Sequence, residues 1–576
     1  MEYAPSQEES ARIAMIPKEK LAASVWLIEP DGMVSGGAEA VFRSLAYAPT
    51  HAWPLWAYRH VPGFAPASEA FYRFVAARRS LFSRLTRIFW GEHLEPPIYF
   101  SARWIFLRFL GLIYLAAFVS FWLQIDGLIG KNGILPAEDF LKNVAARLGP
   151  ERYHLLPTLC WFGCGERALA FLCGGGAALS IFLTLGIAPI PVALLLWAFY
   201  LSLSVVGRDF MGFQWDTLLL EAGFLAVFLA PAGFWPKARA EERPSPTSLW
   251  LARWLLFRLM FESGAVKLLS GDPTWRNLTA LYYHYETQPL PTWIGWHFHQ
   301  LPAAFQRFSA AAVLAVELAV PWLIWLPRRA NIAAFFLLNF LQALIFLTGN
   351  YCFFNALAVA LSFFLLDDAF LAGAVKLGFP INPTSVGGFR RALIAAFAVL
   401  VLVLTASDLS RMFLGRSAAP AVIERFEFLA APFRSVNRYG LFAVMTTSRR
   451  EIIVEGSGDG KTWREYPFKW KPGDLWRRPS FVEPHQPRLD WQMWFAALGS
   501  IEQNPWFANF LGRLLQGSPE VLALLGPNPF SDAPPRFIRA SLYEYHFTGR
   551  SARREGAGWW RREYIGPYSP ILSFQR

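Results

Sequence analysis

A chain of 576 residues that is 54% hydrophobic and 16% aromatic is more apolar than ordinary soluble domains, so lipid is the expected solvent for much of it. Its net charge of +12 comes from Lys and Arg placed between apolar runs and in flanking segments. That is the bias of cytoplasmic loops, not of a nucleic-acid groove, so no nucleic-acid partner is expected. The four cysteines, Cys160, Cys164, Cys173 and Cys352, lie in or beside apolar segments and give no disulfide framework. Cys160 and Cys164 form a C-x3-C pair that reads as two buried thiols, a bridge remaining open if that loop meets an oxidising compartment.

Residues 1 to 100 are soluble in character and show no apolar h-region behind a charged start, so the first span is expected to act as the insertion signal. "SVWLIEPDGMVSGGAEAVFRSLAYAP" predicts a strand over Val25 to Ile28, an Asp31-Gly32 turn, a second short strand and a helix from near Ala38. "SEAFYRFVAARRSLFSRLTRIFWG" adds helix. The runs "WLIEPDGMVSGGAEAVFRSLA" and "FYRFVAARRSLFSRL" resemble the second half of a DCC-type thiol-disulfide oxidoreductase, a thioredoxin-like family with an N-terminal D-x-x-C-x-x-C. Both cysteines of that motif are missing here, so the resemblance implies a truncated α/β segment, residues 1 to 90, without its redox chemistry. Either the segment is a structural remnant or the true start lies upstream.

From Trp104 onward, apolar segments recur at lengths that cross ~30 Å of hydrocarbon. The expected spans are about 104 to 123, 168 to 187, 189 to 206, 217 to 234, 250 to 270, 304 to 326, 330 to 348, 351 to 367 and 391 to 413, making residues 100 to 413 a helical bundle of about nine spans. With the N-terminus cytoplasmic, one side receives Arg78, Arg79, Arg84, Arg87 and Arg103, then Lys237, Arg239 and Arg243, then Arg328 and Arg329, then Lys376, Arg390 and Arg391. The other side receives residues 124 to 167, 207 to 216, 271 to 303 and everything after 413. Residues 414 to 576 regain soluble character: "YGLFAVMT" and "REIIVEGSGDGKTWREYPFKW" alternate like strands with a hairpin turn at Gly456 to Gly460. "ASLYEYHFT" and "GWWRREYIG" make a later pair, and 490 to 525 reads as short helices. A small β-rich extracytoplasmic domain is expected.

Three constellations lie at or beyond the outer surface. In "GRDFMGFQWDTLLLEAGFLAVFLAP", Trp215 and Asp216 lead into a span carrying Glu221, a carboxylate that is costly in lipid unless paired or hydrated. An ion pair that fixes helix register is the plain alternative to a functional site. In "RWLLFRLMFESGAVKLLSGDPTWRNLTALYYHYETQPLP", the spacing lets Arg258 and Glu262 pair on one helix face, and Lys267 either snorkels to the interface or acts as a base in a partly dry cavity. In "PHQPRLDWQMWFAAL", Pro487 starts a helix, Asp490 serves as N-cap or first-turn acid, and Arg488 suits a bidentate carboxylate contact. Its aromatics, Trp491, Trp494 and Phe495, share a side that suits the membrane interface or the bundle, which is docking chemistry. His284, His297 and His299 share a loop without an HExxH motif or a Cys pair, so no metal is expected, and no P-loop, Rossmann or GxSxG pattern implies a cofactor.

Taken in order, "GFQWDTLLLEAGFLA", "RLMFESGAVKLLSGDPTWRNLTALYYHYETQPLPTW", "NRYGLFAVMTTSRREIIVEGSGDGKTWREYPFKWKPGD" and "PHQPRLDWQMWFAAL", with "NPWF" at 504 to 507 and "WWRR" at 559 to 562, resemble the lipase maturation factor family over about residues 100 to 576. The resemblance implies a membrane-embedded folding factor whose outer domain, 414 to 576, contacts secreted clients, lipases among them. Trp215, Asp216, Trp275, His485, Arg488, Asp490, Trp491 and Trp494 are then the client-binding or domain-docking residues. The DCC-like front piece implies a bacterial inner membrane, with the outer domain in the compartment equivalent to the endoplasmic reticulum lumen. "AVKLLSGDPTW" is also similar to a segment of the vitamin K-dependent carboxylase. That similarity implies an alternative reading as a membrane enzyme, with Lys267 as base and Glu262 or Glu221 tuning it. Oligomeric state is left open by the sequence.

Overall fold

The computed structural model describes residues 24–48, 52–91, 96–235, 242–373, 384–415 and 420–573. Among the described residues two compact units are present, those up to residue 91 with 327–329, and the remainder. In the first, β1 (Trp26–Ile28) and β2 (Val34–Gly36) pair antiparallel, Trp26 opposite Gly36. The turn forms because Gly32 takes φ +85° and the Asp31 carboxylate accepts the Met33 N–H at 3.0 Å. Helices α1 (Gly37–Ala46), α2 (Trp53–His60), α3 (Phe64–Ala77) and α4 (Arg79–Trp90) follow. This is the strand, turn, strand, helix order expected from the sequence.

In the second unit each of the nine expected spans coincides with a helix: α5 (Phe100–Trp122), α6 (Glu166–Leu185), α7 (Pro189–Gly207), α8 (Gln214–Leu229), α9 (Pro246–Leu269), α10 (Ala303–Leu318), α11 (Arg328–Thr348), α12 (Phe354–Ser362) and α13 (Gly388–Leu414). Six of these, α5, α6, α7, α10 (with the 3-10 turns that carry it on to Trp325), α11 and α13, are long and apolar enough to cross a membrane among the described residues. The other three fall short for identifiable reasons. Helix α8 has 16 residues, α9 carries Arg253, Arg258, Glu262 and Lys267, and α12 is a short helix extended by one 3-10 turn. Against α6, α5 packs closely where small residues permit it: an added Cβ at Gly176 would strike the Phe118 ring.

The turns between helices gather at two ends of this unit. At one, Asp368 accepts the N–H groups of Phe100 (2.9 Å) and Ser101 (2.7 Å), Arg253 reaches the Phe364 carbonyl (3.0 Å), Arg243 N–H bonds Thr384 O (2.9 Å), and Arg390 pairs with Glu242. At the other end sits the C-terminal region. Its sheet has the order β4-β3-β5-β6, all antiparallel, from β3 (Arg449–Ser457), β4 (Arg464–Glu465), β5 (Phe537–Phe547) and β6 (Trp560–Pro567). Helices α14 (Arg488–Ala496) and α15 (Pro505–Gln516) lie between β4 and β5.

"YGLFAVMT" departs from expectation. Residues 439–446 form no strand, because the N–H groups a ladder would use are taken by side chains of the bundle.

Candidate functional site

The sequence-singled residues converge where the C-terminal region meets the helices. Arg488 opens α14 and its guanidinium grips Asp216 in a two-pronged pair, Nη1 to Oδ2 at 2.9 Å and Nη2 to Oδ1 at 2.8 Å. Asp216 lies in the first turn of α8, where the helix dipole favours a carboxylate. Arg488 is 1% exposed and Asp216 fully buried, so each needs the other. The Phe210 carbonyl accepts a further Arg488 bond at 2.6 Å and the Tyr200 hydroxyl donates to Asp216, which answers most of the remaining hydrogen-bonding capacity. Around this pair the Trp215 ring stacks on Phe213 and meets Trp491 edge-on, both at 4.6 Å between centroids. Trp494 donates its indole N–H to the Thr287 carbonyl at 2.8 Å.

Asp490 sits in the first turn of α14, but the N-cap is Pro487. Its Oδ1 accepts the N–H groups of Trp470 (2.9 Å) and Lys471 (2.8 Å), tying the loop after β4 to the helix. Burial holds Asp490 above the usual carboxylate range despite those donors. His485 meets the Ser120 hydroxyl at 3.0 Å, and burial with the nearby Arg488 charge pushes the imidazole down to about 4. Gln124 closes the contact: its carbonyl oxygen accepts the Arg488 N–H (2.9 Å) and its amide donates to Gln486 O (2.7 Å).

Arg258 does not pair with Glu262. It forms an ion pair with Glu221 of α8, while Glu262 accepts the Tyr439 N–H at 2.9 Å. The i, i+4 spacing allowed the local pair, but the chain from 434 to 445 lies across this face and offers both carboxylates backbone donors. Glu221 also accepts the Asn437 N–H (2.9 Å) and the Tyr439 hydroxyl (2.7 Å), Gln214 accepts the Gly440 N–H (3.1 Å), and Asp272 accepts the Met445 N–H. In return the Trp275 indole donates to Phe442 O (2.9 Å) and Ser270 to Ala443 O (2.7 Å). Four N–H groups of a ribbon without regular structure are thus received by side chains of the bundle, three of them carboxylates.

Lys267 does not reach an interface. Its Nζ donates to both Glu317 oxygens (2.7 and 2.6 Å) and to Ser263 O (3.1 Å), with the Trp275 ring 5.3 Å away. The carboxylate facing it is therefore Glu317, not Glu262 or Glu221. Beside the pair is a cavity of about 410 Å³ bounded by α9, α10, α11 and the loop helix Ala280–Thr287. His284 lines it, held down to about 4 by burial and by the Lys267 charge.

Sequence reasoning passed over Glu317, Tyr200, Asn437 and Tyr439. Glu317 alone carried a signal, as a carboxylate inside the apolar run "AVLAVELAVPW". The β3 cluster was passed over as well: Glu451 joins Arg449 (2.6 Å) to Lys471 (2.7 Å), and Arg449 reaches the carbonyls of Glu286 (2.7 Å) and Pro289 (2.9 Å).

Two family models cover these same parts, the lipase maturation factor transmembrane domain over residues 101–373 and the lipase maturation factor C-terminal domain over 435–570. Lipase maturation factor 2 of Gallus gallus is 39% identical, with 83% of this chain and 82% of that protein aligned. Lipase maturation factor 2 of Homo sapiens is 35% identical over 82% of each chain. Lipase maturation factor 1 of Mus musculus is 35% identical over 84% of this chain and 89% of its own. No solved structure matches. A multi-pass membrane protein with a C-terminal sheet region fixed on its helices, this chain belongs to the lipase maturation factor family.

Proposed function

We propose that this chain is a membrane-embedded maturation factor in which residues 435–570 meet secreted clients, lipases among them, while the Arg488–Asp216 seat and the 437–445 ribbon hold that domain against the bundle. The observation that carries this reading is the seat itself. It devotes paired, buried charges to holding a domain in place, and Lys267 has its three donors engaged by Glu317 and Ser263 instead of being free to take a proton. The coincidence of a helix with each of the nine apolar runs supports nine crossings even though three of those helices are short or charged. Arg103, Arg243, Arg390 and Arg391 gather at the end away from the C-terminal domain, which by charge bias faces the cytoplasm and leaves the domain extracytoplasmic. Lys237, Arg239 and Lys376 lie outside the described residues. The DCC-like front segment supports a bacterial inner membrane, whereas the relatives named above are vertebrate proteins. The same topology serves in either setting.

The test is the activity of a secreted lipase per milligram of lipase antigen in the native host, with and without the gene. A fall at unchanged antigen supports maturation; no change removes it. The enzyme reading is separated from it by Lys267→Met at matched membrane abundance, which leaves lipase specific activity intact on the maturation reading and abolishes function on the enzyme reading.

A further inference from the structure

The cavity beside Lys267 has two chemically distinct ends. Toward the surface its rim is formed by Phe308 (70% exposed) and Phe340 (64% exposed), from α10 and α11, so it opens sideways between two helices that are long and apolar enough to lie in lipid. Its volume of about 410 Å³ is that of a small-molecule site. At the inner end are Lys267, Glu317, His284 and Asn355.

The charges at that end cancel. Lys267 spends its three ammonium protons on Glu317 and Ser263, so no free cation is offered to an anionic head group. The hydrogen-bonding capacity does not cancel. Gln288 donates its amide to Thr348 O (2.8 Å), so its carbonyl oxygen accepts the Tyr351 hydroxyl proton (2.7 Å). The Tyr351 oxygen, 3.3 Å from His284 Nε2, must then accept from that nitrogen. His284 Nδ1 is left as a bare acceptor, buried and with no hydrogen-bond partner among the described residues. Asn355, 4% exposed, donates its amide to Gln342 Oε1 at 2.8 Å, and its own carbonyl oxygen is likewise buried without a donor. Two acceptors without donors, in a neutral pocket behind an apolar mouth, call for a ligand that brings hydroxyl protons and a hydrocarbon chain.

We infer that this cavity binds a single-chain lipid with an uncharged hydroxyl head, a monoacylglycerol or long-chain alcohol, with the hydroxyl at His284 and Asn355 and the chain leaving between α10 and α11. An ionised fatty acid brings a charge with no partner and no donor. A methyl ester brings acceptors only. The site stands independently of the clients that the protein serves.

The experiment uses the full chain in phosphatidylcholine nanodiscs with a diazirine-bearing monoacylglycerol as photoprobe, the labelled peptides being mapped after digestion. Labelling is expected in 303–318 and 328–348, and excess monoolein or oleyl alcohol should displace the probe about tenfold more effectively than oleate or methyl oleate, the value of one matched buried hydrogen bond. Oleyl alcohol matching monoolein would assign one bound hydroxyl; monoolein the better competitor would assign two. Ala312→Trp, which fills the cavity from α10, should abolish labelling at unchanged membrane abundance. Asn355→Leu should erase the preference for hydroxyl heads. Labelling that monoolein does not displace, or equal displacement by oleate and methyl oleate, overturns the assignment; the competition on the unsubstituted protein decides it even if a variant fails to accumulate.

Discussion

Two regions that share α9 treat buried charge in opposite ways. At the seat, Asp216, Glu221 and Glu262 each meet donors from the C-terminal region, and Trp215, Phe213 and Trp491 fill the space between them. At the cavity, Lys267 and Glu317 satisfy each other and leave room beside them. The first arrangement fixes one geometry. The second leaves a cavity beside a neutralised pair. Charge in a membrane protein is expensive in both cases, and what differs is whether another segment of the same chain supplies the missing partner.

The largest way to break this contrast is at the seat. Arg488→Ala leaves Asp216 buried and unpaired and should cost about 3–5 kcal/mol, seen as lost membrane abundance and a lowered unfolding temperature in detergent. Arg488→Ala with Asp216→Ala should cost clearly less than the sum of the two single changes, because the second substitution removes the orphaned charge. Tyr439→Phe takes one donor from Glu221 and should cost about 1–3 kcal/mol by the same assay.

A pair of equal substitutions sharpens the comparison. Ala222→Leu in α8, where the site is fully buried and filled, should cost about 1–3 kcal/mol, whereas Ala312→Leu at the cavity should stay within about 0.5 kcal/mol because space is there to receive it. A smaller effect lies in pH. Burial pushes Glu483 up to about 8, above its usual 4.5, so the folded chain keeps a proton there that the unfolded chain has released. The resulting stability is fully present below about 4.5 and is lost as pH rises toward 8. Glu483→Gln should flatten that decline in a series of unfolding temperatures from pH 5 to pH 8.

Much of this was legible from residue patterns. Apolar run length located all nine helices, because backbone satisfaction in lipid leaves helix as the natural answer for such runs. The Asp31-Gly32 turn and the β5–β6 pair followed from local chemistry, as did the two-pronged habit of Arg488. What the sequence could not give were partners distant in the chain. Arg258 had a carboxylate four residues on, and the one it uses is 37 residues back, brought near by helix packing. "YGLFAVMT" alternates like a strand, yet Glu262, Gln214 and Asp272 take its N–H groups, and no pattern within eight residues reports that. Glu317 does carry a local signal, as a lone acid in an apolar span.

The 437–445 ribbon, with no strand or helix of its own, is held as firmly as the sheet because side chains of the bundle, three carboxylates and Gln214, receive the N–H groups of Asn437, Tyr439, Gly440 and Met445. Amide hydrogen exchange of the full chain in detergent tests it most directly. The account predicts that peptides covering Asn437 to Met445 exchange as slowly as those of β3 and far more slowly than the exposed turn at Gly458 to Lys461. Exchange of the ribbon at the rate of that turn would contradict it.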